Sequence, residues 1–109
     1  MAKDDYFVIV YQLLKLLYEN LKQGKQITSQ EFNDLCINLN QSYWDFIVLN
    51  MSRDGYISGV VEIKTLTGIA PKIQDVMITP KGIEYLFSNS MMERVKNTLK
   101  DLKSIVPGM

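Results

Sequence analysis

The chain has 109 residues, close to half of them apolar, which is enough for one domain with a single core. Twelve Lys and Arg balance twelve Asp and Glu, so there is no bulk basic surplus of the kind that drives nucleic-acid binding by counterion release. One cysteine and no histidine exclude an intramolecular disulfide, a redox pair and a zinc site built within the chain.

At the start, Met1-Ala2-Lys3-Asp4-Asp5 puts two acids where a secretory leader carries positive charge. The apolar run Phe7 to Tyr11 is broken at Gln12 and Lys15, far short of a membrane span. A cytoplasmic protein with no membrane partner is the expectation. Asp4 and Asp5 suit the positive end of a helix dipole, and the first helix should run from there to just before Gly24. Its apolar residues cover more than one face, so it is either buried on two sides by its own domain or shared with a partner.

Thr28-Ser29-Gln30-Glu31 has the spacing of a capping box and opens a second helix with Phe32, Leu35, Cys36 and Leu39 on one face. A turn around Asn38 to Gln41 leads to a third helix, roughly Ser42 to Asp54, with Trp44, Ile47, Val48 and Met51 toward the core. Gly55 ends it, and Tyr56 to Ile63 reads as a strand. Lys64 to Gln74, which holds Gly68 and Pro71, reads as a loop; Asp75 to Ile78 reads as a returning strand. Thr79 caps a fourth helix that has Pro80 at its first position and reaches about Asn89. The last helix, Met91 to about Val106, carries Met92, Val95, Leu99, Leu102 and Val106 at three- and four-residue spacing, with Ile105 beside them.

Helix, capped helix, helix, hairpin, helix is the order of a winged helix-turn-helix domain. The predicted class is α+β, mainly α, with a two- or three-stranded antiparallel wing sheet and a long C-terminal helix, all in one domain. The landmarks Glu31-Phe32, Gly55 to Val60 (Gly-Tyr-Ile-Ser-Gly-Val) and Ile78 to Leu86 (Ile-Thr-Pro-Lys-Gly-Ile-Glu-Tyr-Leu) carry a closer likeness. On these the chain resembles the YjcQ-like winged helices, small bacterial and prophage-encoded proteins, over about residues 4–105. The resemblance implies the fold and a regulatory role; it brings no functional residue with it.

In a winged helix the third helix enters the major groove and the wing touches phosphate. Helical geometry turns Ser42, Phe46, Leu49 and Arg53 outward, with Asn50 at their flank. A transcription regulator would therefore present Ser42, Asn50 and Arg53 to double-stranded DNA and hold its backbone with Lys64 and Lys72. Local charge opposes this. Residues 26–54 set Arg53 against Glu31, Asp34, Asp45 and Asp54, a net of −3. The competing reading is a protein-interaction module with a patch of Phe46, Leu49, Leu66 and Ile69. A homodimer through the first and last helices, with Val95, Leu99 and Leu102 in its seam, is compatible with either.

Catalysis finds no foothold. Cys36 lacks a histidine to activate it and sits among apolar helical neighbours. The acid pairs Asp4/Asp5 and Glu31/Asp34 read as helix-start residues and not as metal ligands. No enzyme, cofactor or metal is expected.

Overall fold

The computed structural model describes residues 2 and 4–105, with the side chains of 101–105 left out. The element order is α1 (Tyr6–Lys22), α2 (Ser29–Cys36), α3 (Gln41–Arg53), β1 (Ile57–Thr65), β2 (Gly68–Ile78), α4 (Pro80–Ser88) and α5 (Ser90–Ile105). The fold is α+β and mainly helical.

α1 is the centre of the domain. Val8, Ile9, Val10, Leu13, Leu14 and Leu17 are all buried, because α2, α3, β2, α4 and α5 all pack against this one helix. Its apolar surface on more than one side is therefore covered largely by its own chain. Around it the helix ends are closed locally. The Thr28 hydroxyl accepts from the Glu31 N–H while the Glu31 carboxylate accepts from the Thr28 N–H, both at 3.1 Å. That backbone N–H is the main reason the Glu31 carboxyl is held below its ordinary value. Asn40 accepts from the Ser42 N–H at 2.8 Å and starts α3 at Gln41. Asn89 alone separates α4 from α5 and accepts from the Met91 N–H at 2.9 Å.

The hairpin corrects one expectation. Most of the stretch read as a loop from Lys64 to Gln74 is strand, and only Leu66 and Thr67 turn. Pro71 pairs with Glu62 inside the ribbon. Both strands of a two-stranded ribbon are edge strands, the setting in which a proline is tolerated. Gly68 is the first residue of β2 and pairs with Thr65 directly after the turn, with φ +136°, and Thr65 donates from its hydroxyl to the Gly68 carbonyl at 2.8 Å to close the tip.

The two sequence landmarks flanking the hairpin meet in space. The Thr79 N–H donates to the Tyr56 carbonyl at 3.0 Å, its hydroxyl donates to the Gly55 carbonyl, and the same oxygen caps α4 through the Gly82 N–H at 3.0 Å. Tyr56 stacks on Tyr85 with ring centroids 4.4 Å apart, and the Lys81 ammonium lies 5.4 Å from the Tyr56 ring centre. One hydroxyl thus ties the end of α3 to the start of α4 and fixes both ends of the hairpin.

Candidate interaction surface on α3 and the hairpin

Arg53 is the one cation in the sequence of α3. It does not stand ready for a ligand. Its Nη2 donates to Glu62 Oε1 at 2.8 Å and its Nε to Oε2 at 3.2 Å, a bidentate pair joining the end of α3 to β1. The hydrogen bond raises the arginine further and pulls the Glu62 carboxyl below its ordinary value. Because Glu62 titrates lower in the folded chain than in the unfolded one, its contribution to stability is present above the unfolded pKa. That contribution is lost as pH falls through the folded value. Glu62→Gln is expected to flatten the loss of stability below about pH 4.5, checked by urea midpoints at acid and neutral pH. An unchanged acid limb would mean that the pair does not persist in solution.

The other predicted DNA-reading positions are no better placed. Asn50 donates its side-chain amide to the Phe46 carbonyl of its own helix at 2.8 Å. Ser42 is exposed, and beside it the Asp45 carboxylate accepts from Gln41 at 2.8 Å, so this end of α3 carries an acid and no base. Lys64 and Lys72 are both exposed, but the register sets them on opposite faces of the ribbon. Lys64 pairs with Ile69 and shares a face with Glu62; Lys72 pairs with Val61 on the other. The five residues expected to hold DNA are not brought to one surface.

Apolar groups fare differently. Phe46 is 55 % exposed, with its ring edge-to-face on Tyr6 at 6.1 Å. Leu66 projects wholly into solvent at the hairpin tip, Ile69 is exposed on one face, and Val61 and Ile63 are exposed on the other. Val61 and Ile63 were not singled out from the sequence, although the two-residue period of a strand puts them on one face, where the register pairs them with Lys72 and Ala70. Exposed apolar side chains therefore stand on both faces of the hairpin, beside Glu62 and Lys64 on one and Lys72 on the other.

Leu49 is a correction. Expected to face outward, it is 8 % exposed. α3 packs against α1 and against both strands, so Ile47, Val48 and Leu49 are buried in succession, which a helix with one core face does not do. Val95 is likewise fully buried inside the chain. Leu99 is half-buried against the same core, and the side chain of Leu102 lies outside the described residues. Cys36 donates its thiol to the Asn33 carbonyl at 3.5 Å and packs against the core. Among the described residues there is no group of His, Cys, Asp and Glu that could hold a metal ion, and no helix long and apolar enough to cross a membrane.

No curated protein and no solved structure matches the chain significantly. The family model of the YjcQ protein matches residues 11–105, nearly the whole chain, from α1 to the end of α5. The chain belongs to the YjcQ family.

Proposed function

We propose that this chain is a winged-helix domain that acts as a protein-docking module, without catalysis, and presents the hairpin and Phe46 to its partner. The order of three helices, hairpin and helix supports the winged-helix reading. So does the approach of Ile27 and Thr28 to Ile73 and Gln74, which line one small cleft beside β2, the edge where a third strand of such a sheet runs. The observation that carries the docking role is the Arg53–Glu62 pair. It neutralises the only positive charge of α3, while large apolar side chains stand exposed on the adjacent hairpin.

The test compares the wild type with Ile63→Asp/Leu66→Asp as bait for clarified host lysate, nuclease-treated, alongside fragmented genomic DNA at low salt. The expected result is a protein captured reproducibly by the wild type and lost with the doubly substituted hairpin, and no enriched DNA. DNA fragments retained at low salt and lost on Arg53→Ala or Lys72→Ala would instead make the protein a transcription regulator and end the docking reading.

A further inference from the structure

Pro71 fixes the direction in which the main chain of the hairpin points. It pairs with Glu62 but has no N–H to give, so this is a pair that does not exchange hydrogen bonds. Such pairs alternate with bonded ones along an antiparallel ladder. The N–H and C=O groups of Val60, Glu62 and Lys64 therefore turn away from β2, toward the open side of β1. Among the described residues the sheet has two strands, and no main-chain group of another element bonds to these three. The two edges of the ribbon are unequal. On β2 the outward positions are Ile69, Pro71 and Ile73; Pro71 lacks the donor, and Ile27 and Thr28 lie beside Ile73. On β1 every outward donor is present from Val60 to Lys64, and residues 61–65 are all exposed. A complete edge of this kind accepts another strand.

The side chains choose the strand. Glu62 and Lys64 share one face and carry opposite charges, with Ile63 between them on the other face. A second β1 laid antiparallel and centred on Ile63 sets each Glu62 opposite Lys64 of the other copy. Centring on Glu62 or on Lys64, or pairing the strands parallel and in register, sets like charges together. The Ile63 register also brings outward main-chain groups to outward ones, so Glu62 and Lys64 of opposite copies exchange both hydrogen bonds. It places the two Ile63 side chains, each 40 % exposed, beside one another across the axis. Leu66, wholly in solvent at the tip, comes level with Val60 of the other copy. Glu62 keeps its bond to Arg53, because a carboxylate has acceptor sites for both cations.

We propose that β1 pairs with β1 of a second copy about a two-fold axis at Ile63, forming a four-stranded ribbon with the helical bodies at its opposite ends. This homodimer uses the hairpin edge and not the first and last helices. It stands independently of partner capture, which uses apolar side chains and not the main chain of β1. Sedimentation equilibrium of the full chain tests it. The expected result is a reversible dimer whose Kd rises at least about tenfold in Lys64→Pro. That substitution removes an outward N–H, as Pro71 does on β2, and leaves the bonds within the hairpin in place; circular dichroism and thermal melting check that the variant is folded. Charge gives a second measurement. Lys64→Glu and Glu62→Lys chains each dimerise at least about tenfold more weakly alone, where like charges meet. An equimolar mixture of the two associates again, since the acids of one face the lysines of the other.

A wild type that sediments as a monomer at ~0.5 mM, where even weak pairs associate, overturns the second copy as occupant and leaves the edge to an extended segment of another protein. A dimer whose Kd is unchanged in folded Lys64→Pro overturns the β1 edge as its interface. Charge variants that fail to associate on mixing overturn the pairing about Ile63.

Discussion

Gly82→Ala is expected to lower the stability of the fold by about 3 kcal/mol. A methyl group added at Gly82 would meet the Tyr56 carbonyl oxygen at 2.2 Å, its carbon at 3.0 Å and Ile78 Cγ1 at 2.8 Å. Two of the three are backbone atoms that no rotamer change can move. The N-terminal turn of α4 would have to lift away from Tyr56. That strains the bond from the Thr79 N–H to the Tyr56 carbonyl and the hydroxyl link from Thr79 to Gly55. In a domain of this size the loss corresponds to a melting point lower by ~12–20 °C. Thermal unfolding followed by circular dichroism measures it. A melting point within ~2 °C of the wild type would mean that α4 does not press on the Tyr56 turn.

Gly59→Ala is expected to cost about 2–4 kcal/mol and to damage partner binding beyond the loss of folded protein. Gly59 lies between the paired positions Ser58↔Met77 and Val60↔Ile73, where the register shifts through a bulge. Its φ is +83°, a conformation that costs other residues energy, and an added Cβ would lie 2.2 Å from the Asp75 carbonyl oxygen. Relieving that clash means opening the ladder at the bulge, and a bulge sets the direction in which a ribbon leaves its base. The outer hairpin, with Val61, Ile63, Leu66 and Ile69, would then be re-aimed relative to Phe46. Urea unfolding gives the stability. Partner capture at a concentration of matched folded protein gives the second effect. Full capture by the folded variant would show that the docking surface does not depend on the bulge's geometry.

The two glycines differ in how they could be read. Gly82 stands in a Thr-Pro-x-Gly start of a helix, a local pattern that places the helix but says nothing of the carbonyl pressed against it. Gly59 stands within a strand, where an isolated glycine signals a bulge or a close backbone approach. The Lys64 to Gln74 stretch failed as a loop for a similar reason. Gly68 and Pro71 carry turn chemistry locally, and only the pairing of Pro71 with Glu62 shows that the strand continues through them.

The amino-acid sequence by itself determined the helices, the Thr28 and Thr79 caps, the order of the elements and the family likeness. Each of these is written in hydrogen bonds and apolar spacing within about one turn of chain. Tertiary structure alone decided what the surface can offer. Arg53 meets Glu62 across two elements, Lys64 and Lys72 part because of strand register, and Leu49 is buried because α3 packs on more than one element. A groove along α1 draws its lining from α1, from α5 and from the turn after α2. Such contacts depend on where distant segments come to rest, so no periodicity or spacing in a single sequence encodes them directly.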